Sequence, residues 1–371
     1  IKNPKKINFE ESIINLVKEF ISATKQLSEV AFMVVPSIAS VIQKNEVFPE
    51  EAFTFLLEFM KYDQLTNGCK STVQFLKDIL QIIMLTNDNA YHDPISTKYS
   101  LLITIKLLTL ELQGVLTKDI LASLIRNAAD SLEEIEHTYY ENEIEYNNMV
   151  SVAVMGTVLI YYPELGLQIL EEEKLTSQFI TMIKETMDYS PYYTELFRCT
   201  ILGICSLLLN NTTLNVFINS GKITDFLKLF FLLVQKQKEE ALKYMRDITK
   251  KEIDCNFVEG DDSDDDDDEA REIKKKLMEN EEDFNDNKKE LENCEFTFKG
   301  VDEFKQFSEC LKSIETINPE ISKQFLSSLT TKEATILQEL IQLRKVIVRY
   351  NNKVFYVPRR QIKIRRTNQN N

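Results

Sequence analysis

Residues 149–172 read MVSVAVMGTVLIYYPELGLQILEE. From Met149 to Ile160 only Ser151, Gly156 and Thr157 interrupt the apolar run, and the pair Tyr161–Tyr162 is followed at once by Pro163. Proline has no backbone N–H and a fixed φ, so it suits the first position of a helix and not its interior. The stretch predicts one helix over 143–161 and a second over 163–187 that starts at the proline. Neither helix can bury its apolar face alone, so each needs a packed neighbour.

The same punctuation extends in both directions. Pro49 and Pro319 also fall where a helix should begin, and Ser190 ahead of Pro191 reads as an N-cap followed by a first helical residue. Apolar residues recur at helical spacing: Ile13, Val17 and Phe20 on a first face, Leu121, Leu124, Ala128, Leu132 and Ile135 on another that starts after Thr117, and Phe197, Ile201, Ile204 and Leu208 on a third. The helices so predicted cover 9–26, 28–43, 49–61, 71–86, 98–112, 118–135, 143–161, 163–187, 191–209, 222–248, 302–315, 319–328 and 332–348. Breaks such as TNDNAYHD and NNTTLN separate neighbours. One strand candidate, KVFYVPRRQIKI from Lys353, is weakened by Pro358. Antiparallel helix pairs with a beat of roughly 40 to 50 residues indicate an all-α HEAT-repeat superhelical solenoid, with an irregular helical bundle as the alternative.

With 371 residues, 43% of them hydrophobic, and only 8 Gly and 8 Pro, the chain can bury a large core. Its net charge of -15 is unevenly placed. Glu259 to Glu295 holds 18 acidic and 6 basic residues, whereas Arg344 to Arg366 holds nine basic residues and no acid. The overall sign speaks against a nucleic-acid binder, which needs a basic face, and favours a basic protein partner. The six cysteines form no CxxC pair, and Cys199 and Cys205 sit inside an apolar helix pattern, as buried thiols of a reducing compartment would. Lys106 and Glu111 interrupt the richest apolar stretch, so no membrane insertion is expected. Starting at Ile1, the chain reads as a fragment of a longer protein.

Reaction chemistry finds little footing. His92 and His137 lack a second His or a Cys at metal-ligand spacing and read as loop or surface residues. SGKIT, Ser220 to Thr224, lacks the earlier glycine of a phosphate loop and reads as an ordinary helix start. Gly260 precedes the aspartate run instead of interrupting it, so the calcium-loop pattern fails. Asn210 and Asn211, followed by Thr212 and Thr213, form sequons that are taken as coincidence. The doublets Tyr139–Tyr140, Tyr161–Tyr162 and Tyr192–Tyr193 read as the rim of a helical core, with a binding platform as the alternative. The expectation is a non-enzyme without cofactor, metal or catalytic residues.

What stands out is VEGDDSDDDDDEAREIKKK, residues 258–276. Like charges at this density repel and cannot pack against a core, so 255–297 is expected to be a mobile acidic loop. Helical spacing resumes with Phe304, Phe307, Leu311 and Ile314, which makes the run an insertion and not a tail. The expected organisation is therefore helical repeats over 1–254, the acidic loop, a closing helical segment over 298–348 and a basic tail over 349–371. A solvated linker without a partner remains the plain alternative for the loop.

From about Met149 to Leu343 the chain resembles the C-terminal part of importin-β-like transport receptors (karyopherin-β) of the importin-seven and importin-eight branch. The quoted stretch, FITMIKETMDYSPYYTELFRCTILGICSLL after it, and VDEFKQFSECLKSIETINPEISKQFLSSLTTKEATILQELIQL beyond the insertion carry the resemblance. In that family an acidic insertion is likewise followed by a closing segment that begins Val-Asp-Glu, matched by Val301 to Glu303, and contains an Asn-Pro helix start, matched by Asn318–Pro319. The resemblance implies a nuclear import receptor that carries basic cargo such as ribosomal proteins or histones past nucleoporins. It would shuttle between cytoplasm and nucleus, alone or paired with another importin, and release cargo to the GTPase Ran through N-terminal repeats that this chain lacks.

Cargo binding is then expected at Glu259, Asp261, Asp262, Asp264, Asp265, Asp266, Asp267, Asp268 and Glu269, with Ser263, the one hydroxyl in the run, as a site of regulatory phosphorylation. The ending RRQIKIRRTNQNN departs from the family, being basic and without an FG-type motif. The rival reading is a HEAT-repeat scaffold or adaptor in chromatin or ribosome assembly with no GTPase linkage.

Overall fold

The computed structural model describes residues 4–24, 26, 33–35, 54–60, 79–80, 82–83, 94–109, 116–130, 141–187, 194–239, 301–348 and 353–358. Apart from one C-terminal hairpin, the regular elements among them are helices, as in an α-helical solenoid. The chain divides into two compact units, one containing Ile1–Val154 and the other Met155–Asp254 with Gly300–Asn371.

In the first unit, α1 (Pro4–Thr24) buries Ile14, Val17 and Ile21. The expected face is thus turned by one position: Phe20 is half exposed, because a repeat of three then four residues places Ile14, Val17 and Ile21, and not Phe20, on one side. The opposite partner is the helical stretch 54–60, to which Lys18 donates through Nζ at 3.4 Å to Thr54 Oγ1 and Ser22 through Oγ at 3.2 Å to Glu58 Oε1. Helix α2 (Pro94–Leu108) buries Leu101, Leu102, Ile103, Ile105, Leu107 and Leu108, apolar all round its second half as a core helix is. Lys106 is buried with them. Helix α3 (Lys118–Asp130) starts after Thr117, whose Oγ1 accepts the Ile120 N–H, and buries Leu121, Leu124 and Ala128 as its spacing predicts.

The boundary between the units falls within α4 (Glu141–Tyr161). In the second unit, α5 (Pro163–Glu172) opens at the proline. The single helix expected over 163–187 is in fact two, because Lys174 adopts a φ of 60° and turns the chain before α6 (Thr176–Thr186). Leu175 N–H then reaches back to the Leu170 carbonyl at 2.8 Å, closing α5.

Helix α7 (Thr194–Leu209) is the spine of the second unit and buries Phe197, Ile201, Ile204 and Leu208. It meets α4 where Gly156 lies against the Thr200 backbone and Gly203 against the Gly156 backbone. The asparagine-rich NNTTLN is not a break but a helix start: the Asn210 side chain accepts the N–H groups of Thr212 (2.9 Å) and Thr213 (3.2 Å), capping α8 (Asn211–Asn219) at 86° to α7. Gly221, at a φ of 69°, ends α8, and α9 follows over residues 223–239. Among the described residues no single helix is long and apolar enough to cross a membrane.

The closing segment comprises α10 (Glu303–Ile317), α11 (Pro319–Ser327) and α12 (Thr331–Gln342). Helix α10 packs on α7, and Phe307 sets its ring edge-on to Phe230 of α9 with centroids 5.0 Å apart. The helix expected to run to residue 348 stops at Gln342, and β1 (Leu343–Val348) takes its place. Val346, Ile347 and Val348 are β-branched and favour the extended chain. Strand β1 pairs antiparallel with β2 (Lys353–Pro358), Leu343 opposite Pro358. Pro358 is accommodated because it ends the ladder.

Candidate functional site

The expected cargo acids Glu259, Asp261, Asp262, Asp264, Asp265, Asp266, Asp267, Asp268 and Glu269, and the modification site Ser263, lie outside the described residues. So do His92, His137, the Ser190–Pro191 cap and the doublets Tyr139–Tyr140 and Tyr192–Tyr193. What is described is the pair of chain ends that enclose the acidic segment, α9 before it and α10 after it.

Those two ends meet. Gln237 of α9 donates through Nε2 to Glu303 Oε1 at 3.3 Å. The next residue, Lys238, pairs through Nζ with Glu339 Oε2 of α12 at 2.5 Å. From α7, Arg198 brings Nε to 3.3 Å from Glu303 Oε2 and donates through an Nη to the Val301 carbonyl at 2.5 Å. Arg198, Gln237 and Glu303 are at most 1% exposed. The Nε to Oε2 approach is a charge contact without hydrogen-bond alignment, and the Gln237 Oε1 atom has no hydrogen-bond partner.

Each residue of the Val-Asp-Glu motif therefore has its own task. The Val301 carbonyl receives the guanidinium, Asp302 caps α10 by accepting the Lys305 N–H at 3.0 Å, and Glu303 supplies the buried anion. The Asn-Pro motif works likewise at the next corner, where the Asn318 side chain accepts the Ile321 N–H at 3.2 Å and Pro319 takes the first turn of α11. A buried arginine–carboxylate pair has lost its hydration on both sides, so removing one partner costs about 3–5 kcal/mol, whereas replacing both by apolar side chains is often neutral.

Sequence spacing brought neither Arg198 nor Gln237 to attention. The available signal was an arginine set among the apolar residues of LFRCTILGICSLL, a position where a charge needs a buried partner.

Nearby, Cys199, Cys205 and Cys310 are buried and outside any disulfide, and the Cys310 thiol lies 3.6 Å from the Cys205 carbonyl. Burial pushes the Cys205 thiol well above its ordinary range, with the neighbouring Cys310 adding to the shift. A thiol held protonated is a poor nucleophile. The Asn210 amide of the first sequon is committed to capping α8 and donates to Glu164 Oε1 at 3.1 Å. Tyr161 and Tyr162 are half-buried, as rim residues are. A cavity of about 10 Å³ among Leu167, Phe179, Leu207 and Phe226 has room for a water and not for a cofactor. Among the described residues no cluster of His, Cys, Asp and Glu could hold a metal ion.

The described residues thus assemble a buried, charged junction that ties α7, α9 and α10 together at the two ends of the acidic segment. In comparison with known proteins, no family model, no curated protein and no solved structure matches the chain.

Proposed function

We propose that the chain is the cargo-side, C-terminal part of an importin-β-like nuclear transport receptor, a HEAT-type superhelical solenoid that binds basic proteins through its acidic insertion. The observation that carries the reading is the placement of charge. A net -12 between Glu259 and Glu295 interrupts a helical body at a point where the flanking helices close on each other through Gln237 and Glu303. A dense polyanion held at such a junction attracts basic ligands over several ångströms and associates fast, with strong dependence on salt. The order of helices, insertion, Val-Asp-Glu and Asn-Pro supports the receptor family in particular.

In this reading the acids from Asp261 to Glu269 contact the cargo, and Ran acts on repeats that belong to a longer chain. The test compares the native chain with one carrying Asp261→Asn, Asp262→Asn, Asp264→Asn, Asp265→Asn, Asp266→Asn, Asp267→Asn, Asp268→Asn and Glu269→Gln. Affinity for a ribosomal protein should drop by about tenfold or more at about 50 mM salt and converge with the native value toward about 200 mM, at unchanged helical content. Equal affinities at both salt concentrations would exclude the acidic segment as the cargo site. Ran–GTP should dissociate cargo from the longer receptor, whereas a HEAT scaffold for chromatin or ribosome assembly would keep it.

A further inference from the structure

We infer that Arg198, Gln237 and Glu303 form a clasp that closes the helical body on its own side of the acidic segment, so that the closing helices α10–α12 are held by this junction and not by residues 241–299. Gln237 of α9, before the acidic segment, and Val301 to Glu303, after it, already touch: the Gln237 amide reaches Glu303 at 3.3 Å, and Arg198 grips both the Val301 carbonyl and the Glu303 carboxylate. Phe230 against Phe307 and Lys238 against Glu339 add contacts from α9 to α10 and to α12. With the ends pinned by described residues, the length of chain between them matters little to closure, whose entropy grows only with the logarithm of loop length.

Arg198 is the keystone because it joins α7 to both Val301 and Glu303. The ion pair is buried on both sides, so losing the guanidinium leaves the Glu303 carboxylate buried without the Arg198 charge, with the Gln237 amide still donating to it. The expected consequence is local: α10–α12 open while α5 and α6, which contribute neither partner of the pair, stay closed. The clasp is independent of what the acidic segment binds.

Three variants of the full chain test the clasp by hydrogen exchange. In Arg198→Met, amides of α10–α12 should exchange roughly a hundredfold faster while those of α5 and α6 keep their rates. In Arg198→Met with Glu303→Met, where no charge is left unpaired, protection of α10–α12 should return most of the way to the native level. In a chain whose residues 241–299 are replaced by a short Gly-Ser linker, α10–α12 should keep native protection. A loss of protection spread evenly over the second unit in the single variant, a double variant no better than the single, or loss of α10–α12 in the shortened chain would each overturn the clasp. Failure of the shortened chain to bind basic protein bears only on the proposed function.

Discussion

Gly203 and Gly156 set how closely α7 approaches α4, and they show how one atom decides an interface. A Cβ on Gly203 would stand 2.4 Å from the Gly156 carbonyl oxygen and 2.8 Å from its Cα, both backbone atoms of a helix that cannot yield. Alanine would gain about 1 kcal/mol of helix propensity over glycine in an open helix. Here that gain is outweighed by overpacking, which typically costs about 1–3 kcal/mol and more against a rigid backbone. Gly203→Ala should therefore destabilise the protein by about 2 kcal/mol, read as a lower urea midpoint at unchanged slope. Gly166 is the control, since its added Cβ would meet the Leu159 Cδ2 at 2.9 Å, the free end of a side chain that can turn aside. Gly166→Ala should be close to neutral, and equal losses in the two variants would mean that close backbone packing is not what Gly203 provides.

Helix α12 carries a complete capping box, in which Thr330 Oγ1 accepts the Glu333 N–H at 3.3 Å and the Glu333 carboxylate accepts the Thr330 N–H at 2.7 Å. The backbone N–H of Thr330 is the main cause that holds the Glu333 carboxyl below its ordinary value, with the Thr330 side chain second. A carboxylate whose pKa is lower folded than unfolded stabilises the fold when ionised. Its contribution is complete above the unfolded value, about 4.3, and is lost as the pH falls through the folded one. Glu333→Gln should remove that part of the acid-side loss of stability while Glu333 in the native chain titrates below other glutamates by NMR. Identical acid unfolding profiles for the two proteins would deny the box this role.

Such caps explain which elements were legible beforehand. Pro163 and Pro319 announce their helices because the ring itself fixes the first turn, and α7 is plain because its stripe is unbroken. The division of 163–187 was hidden because Lys174, with no glycine to signal it, takes the left-handed turn. Helix α8 was hidden because Asn-Thr-Thr serves loops and N-caps equally, and only the geometry of Asn210 decides. The switch to β1 inside LRKVIV turns on β-branching against a helical stripe that continues through Leu340 and Leu343, a contest that local spacing does not settle.

At the scale of the molecule, charge was legible from composition and the clasp was not, because Arg198 and Val301 lie 103 residues apart and no local pattern pairs them. The acidic segment's own behaviour follows from its charge density, and Ser263 is where that density can change. It is followed by five aspartates and a glutamate, the context that acid-directed kinases favour. A phosphate adds about -1.5 to -2 charges and three strong acceptor oxygens at a point already surrounded by anions. Within the segment the added charge has no cation among its nearest neighbours, Arg271 being the first, so it increases repulsion there and attraction for an external basic ligand. Under the proposed function, phosphorylated chain should bind a basic ribosomal protein several-fold more tightly at low ionic strength, with a steeper loss of affinity as salt is added. Ser263→Ala treated with the same kinase should show neither change. Intact mass of protein from its native cells gives the second measurement, and a chain that carries no phosphate at Ser263 there, or binds no better when it does, would rule out this control of cargo capture.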